Sequence, residues 1–232
     1  MTGLVIDSKG TLYAALVSFT SEVQAGIYRV PAGGGDAVLF AKDANMPFPN
    51  GLAFDENNTL YATDSGTGSV FRISKSGAVV RWAQGPELSG ATDFCGRGQG
   101  AGFDIGANGI VVEKDAVYVV NTDRATLVKI AMTKGTPTPE VIVGSDCGNL
   151  AGADGLTRDE KGNFIVAVNR QDKVVRISKD NQVSEVAKGL DFPASFAWSG
   201  KTLYATNFAF VRASRGESPA PGLVKFTTSS KE

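Results

Sequence analysis

One five-residue pattern recurs along this chain. GIYRV, SVFRI, TLVKI, KVVRI and GLVKF begin at residues 26, 69, 126, 173 and 222, and each has a cation in fourth place: Arg29, Arg72, Lys129, Arg176 and Lys225. Each is preceded by two other short apolar runs. The first opens at Gly3-Leu4, Gly51-Leu52, Gly109-Ile110, Gly155-Leu156 and Ser195-Phe196. The second contains Leu12-Tyr13, Leu60-Tyr61, Val117-Tyr118, Phe164-Ile165 and Leu203-Tyr204. Polar turns separate the runs, four of them led by Asp7, Asp55, Glu113 or Asp159. A repeat of roughly 40 to 58 residues built from short alternating strands is the signature of a propeller blade. A lone blade leaves both faces of its sheet wet, so the repeats must stack around an axis. No window holds the 3.6-residue apolar period of a helical repeat. The expectation is an all-β β-propeller of four-stranded antiparallel blades. Five repeats start near 3, 51, 109, 155 and 195, within a single domain over 1–232. The first repeat opens at residue 3 and the last ends at Phe226. That leaves two readings, direct closure of five blades or a six-bladed parent whose first blade is absent, and the second is preferred.

Composition narrows the chemistry. With 23 basic and 24 acidic residues the net charge is −1, which gives no electrostatic case for nucleic acid or an anionic membrane. No apolar run approaches the ~20 residues that span a bilayer, and Met1 runs almost directly into the first repeat, so no signal peptide is expected. The chain contains no histidine. This removes Ser-His-Asp and Cys-His catalysis and any His-ligated zinc. GxSxG and P-loop motifs are absent, and the fragment Gly96–Gly100 lies in a loop without a βαβ setting. Two cysteines, Cys95 and Cys147, fall in long connections on one face. They are either bridged, which points to an oxidising compartment, secreted or periplasmic, or two free thiols.

In an antiparallel blade the start of the first strand and the end of the second share one end of the sheet. First strands line the channel, so Thr2, Asn50, Asn108, Asp154 and Ala194 should ring its mouth. Second strands end in Asp64, Asn121, Asn169 and Asn207, and the long connections 17–25, 83–107 and 208–221 belong to the same face. Asx residues suit turns, and that reading covers Asp64, Asn169 and Asn207 well. It covers Asn50, Asn108 and Asp154 less well, because each precedes glycine at one register of the repeat. Asn50, Asp64 and Asn121 are the expected substrate-side residues. Convergent amide and carboxylate oxygens favour a hard cation, Ca²⁺ first and Mg²⁺, Mn²⁺ or Zn²⁺ as options.

The segments NGLAFDENNTLYATDSG, GANGIVVEKDAVYVVNTD and GADGLTRDEKGNFIVAVN resemble the SGL family of six-bladed propellers, which includes gluconolactonases and regucalcin. Blade-like strands alone would also match NHL or strictosidine-synthase-like propellers; the ordered Asn-Gly, Asn-Gly, Asp-Gly set is the specific part. The resemblance implies that Asn108 and Asp154 hold a divalent metal, that Asp154 is also the general base, and that Asn50 faces substrate. The family's metal-binding Glu has no counterpart here and would precede the first repeat, which puts metal affinity and activity in doubt. The implied function is metal-dependent hydrolysis of a sugar-type lactone. The alternative is a non-catalytic propeller holding a small molecule, glycan or peptide on the same face. Strictosidine-type condensation ranks lower, because no catalytic Glu can be placed.

Overall fold

The polar turns inside each repeat explain why the strands pair as they do. Asp7 Oδ1 accepts from the backbone N–H groups of Lys9 and Thr11 at 2.9 and 2.8 Å. Asp55 does the same for Asn57 and Thr59, and Asp159 for Lys161 and Asn163. One carboxylate oxygen thus closes a tight turn and sets the register of the hairpin that follows. The turn led by Glu113 is one residue shorter, closed from Glu113 N to Ala116 O at 2.9 Å, and the Glu113 carboxylate instead pairs with Arg158 at 2.8 Å.

The computed structural model describes residues 1–20, 22–96 and 102–227. Most of the glycine-rich fragment, 97–100, therefore lies outside the described residues. Blade one is β1 (Gly3–Ile6), β2 (Leu12–Leu16), β3 (Gly26–Val30) and β4 (Val38–Ala41). Blade two is β5 (Pro49–Phe54), β6 (Leu60–Asp64), β7 (Ser69–Ile73) and β8 (Val79–Gln84). Blade three is β9 (Ala107–Val112), β10 (Ala116–Asn121), β11 (Thr126–Ala131) and β12 (Pro139–Val143). A short helix, α1 (Cys147–Leu150), leads into blade four: β13 (Ala153–Arg158), β14 (Phe164–Val168), β15 (Lys173–Ile177) and β16 (Val183–Lys188). Blade five is β17 (Pro193–Ser199), β18 (Thr202–Asn207) and β19 (Gly222–Thr227), with α2 (Phe210–Ser214) between its last two strands. Within every sheet the strands follow chain order and pair antiparallel. The fold is the expected all-β propeller of antiparallel blades, the fifth sheet having three strands among the described residues.

Four apolar clusters lie between successive blades. Ile27 and Met46 pack with Phe71 between blades one and two, and Val70 with Val119 between two and three. Leu127 packs with Val166 between three and four, and Ile165 with Leu203 between four and five. Among the described residues no such cluster joins blade five to blade one. Leu4, Ile6 and Leu223 are 51%, 63% and 71% exposed on the faces those two blades turn toward each other. The repeated cations lie along the outside of their sheets. Arg29 and Arg72 stack over Phe40 and Tyr61 at 5.2 and 5.7 Å, and Arg176 lies 3.7 Å from Asp159. Two of the three therefore act as aromatic lids. Among the described residues no helix is long and apolar enough to cross a membrane.

Candidate functional site at the channel mouth

The side chains at the mouth are aimed there by an irregularity repeated in four blades. Pairing of the first strand with the second shifts register between Pro49 and Leu52 in β5, and between Ala153 and Leu156 in β13. It also shifts between Pro193 and Phe196 in β17, and at Asn108-Gly109 in β9. Each bulge takes one dipeptide out of the ladder: Asn50-Gly51, Asn108-Gly109, Asp154-Gly155 or Ala194-Ser195. A bulge bends its strand and re-aims the side chain it carries. The glycines have a separate task, because the innermost strands approach backbone to backbone. A Cβ on Gly51 would lie 2.5 Å from Asn108 O, and one on Gly109 would meet Asp154 O still more closely.

Hydrogen-bond relays then fix which way the two asparagine amides face. Asn50 Nδ2 donates to Ser65 Oγ at 2.9 Å, and Ser65 Oγ donates to Ala107 O at 2.8 Å. One blade on, Asn108 Nδ2 donates to Thr122 Oγ1 at 2.9 Å, and Thr122 Oγ1 donates to Ala153 O at 2.7 Å. A hydroxyl has one proton, and here a carbonyl takes it, so each hydroxyl can only accept from the amide. The nitrogens are therefore held against the blade, and among the described residues nothing donates to either Oδ1. Asn50 and Asn108 are 8% and 5% exposed.

Asp154 is the third member. Desolvation pushes its carboxyl up to about 7, against the pull of hydrogen bonds from Asn169 and Asn108 and of the Arg170 charge. Asn169 Nδ2 donates to Asp154 Oδ2 at 2.9 Å, while Asn169 Oδ1 is buried without a partner. Asn169 and Arg170 are positioned together. Arg170 reaches across the blade interface to Asp123 at 2.6 Å, and Asp123 also accepts from the N–H groups of Ala91 and Ile105 in the long connection. That connection is tied down again by a Cys95–Cys147 disulfide, Cα–Cα 5.4 Å, onto α1. The bridged alternative for the two cysteines is the one observed.

Asn50, Asn108 and Asp154 line one cavity of about 820 Å³. Asp64 and Asn121 do not join them. Asp64 is fully buried and accepts from Phe48 N, Thr67 N and Thr67 Oγ1 at 2.6, 2.8 and 2.9 Å. Its burial raises its pKa in spite of those donors. Asn121 donates to Glu87 O and Ser89 O at 2.9 Å and accepts from Arg124 N. Both side chains turn away from the channel to close loops; the residues one place further on, Ser65 and Thr122, turn toward it. Those two hydroxyls and Asn169 are the functional neighbours that the sequence reading missed. Their signal was position alone, a hydroxyl directly after each second strand. Thr2, the first-blade station, donates Oγ1 to Pro49 O at 2.7 Å, and the fifth station is Ala194.

The donor set is all oxygen: one desolvated carboxylate and two oriented amide oxygens without donors. Among the described residues no group of three His, Cys, Asp or Glu gathers anywhere, and Asp154 is the one acidic side chain among those lining the cavity. Such a set fits a hard divalent cation that completes its shell with water or ligand.

The comparisons place this geometry among known proteins. Residues 99–208 match SGL, the SMP-30/gluconolactonase/LRE-like region. The SGL match spans blades three and four with the first two strands of blade five, and so includes Asn108, Asp154 and Asn169. No curated protein matches the chain. Among solved structures, regucalcin from Agrobacterium tumefaciens, described as a calcium-binding protein, is 16% identical, with TM-score 0.67 over 96% of this chain and 74% of that one. A gluconolactonase from Xanthomonas campestris is 16% identical, with TM-score 0.64 over 88% and 68%. Virginiamycin B lyase from Staphylococcus aureus is 16% identical, with TM-score 0.59 over 98% and 70%. At these identities the structural likeness establishes the propeller fold. The lyase and the lactonase share it, so chemistry must be argued from the mouth.

Proposed function

We propose that this protein is a divalent-cation-dependent hydrolase of lactones, with Asn108 and Asp154 as cation ligands, Asp154 as general base and Asn50 on the substrate side. One observation carries the reading: a desolvated carboxylate stands beside two amides whose oxygens are held outward by buried relays. The SGL match and the gluconolactonase and regucalcin neighbours agree with it. Calcium is the preferred cation, given an all-oxygen donor set. When bound, it would polarise the lactone carbonyl and acidify water. The chain's own residues do the rest. Asn169 holds Asp154 Oδ2, which leaves the other oxygen for an attacking water. Asp154 takes a proton from that water as its oxygen bonds to the carbonyl carbon. The ring C–O bond breaks, the same carboxyl returns the proton to the leaving alkoxide, and a hydroxy acid departs. The lyase chemistry of the Staphylococcus neighbour is disfavoured, since a catalytically inactive form of that enzyme replaces a histidine and this chain has none. The Cys95–Cys147 bridge supports an oxidising compartment, secreted or periplasmic.

The test is lactone hydrolysis followed by acid release, with calcium and with chelator. The reading predicts turnover that chelation removes and that Asp154→Ala lowers by about 10²- to 10⁴-fold, the range for a general base. Turnover indifferent to both would end it.

A further inference from the structure

The polar stations occupy only part of the mouth. Blades two, three and four contribute Asn50, Asn108 and Asp154, whereas blade five contributes Ala194, with Phe196 below it and Phe208 beside it in the same cavity. Phe208 belongs to a cluster of three. It lies 6.2 Å from Phe192 and 6.0 Å from Phe210, and Phe192 lies 6.0 Å from Phe210. Phe208 and Phe210 are nonetheless 60% and 59% exposed. Aromatic rings left this open on a rigid support are unusual unless something covers them.

The support is rigid. Phe192 and Ala209 both adopt left-handed backbone conformations, φ 53° and 59°, which non-glycine residues take up only when their surroundings impose it. Phe208 N and Ala209 N donate to Phe192 O and Asp191 O at 3.0 Å. The Asp191 carboxylate is buried, accepts from Ala220 N at 2.7 Å and faces Arg212 at 3.8 Å. The long loop between β18 and β19 is thus pinned at both ends so that the phenylalanines stand beside the mouth. On the blade-five side the hydroxyl of Thr206 accepts from Ser195 N at 3.0 Å, and the polar residues there, Ser195, Tyr204 and Thr206, share the wall with Phe196 and Phe208.

Resting on the lactone-hydrolase reading of this site, we infer that its substrate is a lactone carrying an alkyl substituent, which lies against Phe196 and Phe208 while the ring carbonyl faces Asn108 and Asp154. This departs from the sugar-type lactone expected from the sequence. A polyhydroxylated ring would strip its hydroxyls of water against carbon, whereas each buried methylene gains a factor of about four.

The experiment compares kcat/KM of the full chain, with calcium, on δ-valerolactone, δ-decalactone and glucono-δ-lactone. Alongside it, calorimetric binding of 2-pentyltetrahydropyran uses the same ring and chain without a hydrolysable bond. δ-Decalactone is expected to exceed the other two by at least tenfold. Phe208→Ala should lower that advantage, and the affinity for the pyran, by about tenfold. If glucono-δ-lactone is turned over as well as δ-decalactone, or if chain length makes no difference, the substrate inference is overturned and the hydrolase reading stands. If no lactone is hydrolysed yet the pyran binds in a Phe208-dependent way, the alkyl-binding surface stands, and the hydrolase reading falls together with the lactone substrate. Neither turnover nor binding would overturn both.

Discussion

Replacing Thr122 by valine tests whether the buried relay orients the mouth. Thr122 is 1% exposed, and its hydroxyl stands between Asn108 Nδ2 at 2.9 Å and Ala153 O at 2.7 Å. Valine keeps the shape and removes both bonds. Ala153 O and Asn108 Nδ2 then lose a buried partner each, at about 1–3 kcal/mol apiece, so a stability loss of about 2–6 kcal/mol is expected. A second effect bears on the site. Freed from Thr122, the Asn108 amide, which already donates to Asp154, loses the bond that fixes its orientation. A cation must then order that amide itself, at about the 0.5–1.5 kcal/mol of a typical hydrogen bond, which lowers calcium affinity roughly two- to tenfold. Urea unfolding followed by the fluorescence of Trp82 and Trp198 measures the first effect, and calcium calorimetry the second. Thr122→Ser retains the hydroxyl and should stay close to the parent in both. A valine variant with the parental urea midpoint and the parental calcium affinity would refute the relay.

Three further outcomes follow from the same structure. Asp154 titrates at about 7 against an ordinary 3.8, so the folded state favours its protonated form. The contribution of Asp154 to the stability of the metal-free protein is full below roughly pH 4, is lost as pH rises through about 7 and stays level above it. Asp154→Asn should flatten that slope in thermal melts across pH, and an unchanged slope would assign it elsewhere. The Cys95–Cys147 bridge closes a separation of 52 residues, which in the loop-entropy model stabilises by about 4 kcal/mol. The double serine variant should therefore melt about 10 °C lower. Gly109→Ala places a Cβ against Asp154 O and 2.6 Å from Leu156 N, so it should cost at least about 1–3 kcal/mol in urea unfolding; an undisturbed midpoint would mean that the inner strands can part freely.

The blades were legible because their determinants are local. Alternation within each run, and Asp7, Asp55 and Asp159 closing the hairpin turns, state strand, turn and register within a dozen residues. The mouth was legible at Asn50, Asn108 and Asp154 because these share one register of the repeat. Asp64 and Asn121 were misread for a physical reason. Pattern shows where a strand ends, but not which side its last side chain takes beside a bulge, and the hydroxyls of Ser65 and Thr122 hold the places expected of them. Asn169 was passed over as a turn residue because its partner, Asp154, is fifteen positions away and meets it only through pairing of β13 with β14. The phenylalanine cluster rests on the left-handed backbone at Phe192 and Ala209, for which composition gives no sign.

Calcium binding measured by calorimetry on the unmodified chain, on Asp154→Ala and on Asn108→Ala is the most direct trial of the mouth as a cation site. One saturable site in the parent, removed by the first substitution and weakened at least tenfold by the second, is the predicted result. Binding that survives both substitutions, or a parent that binds none, would contradict it.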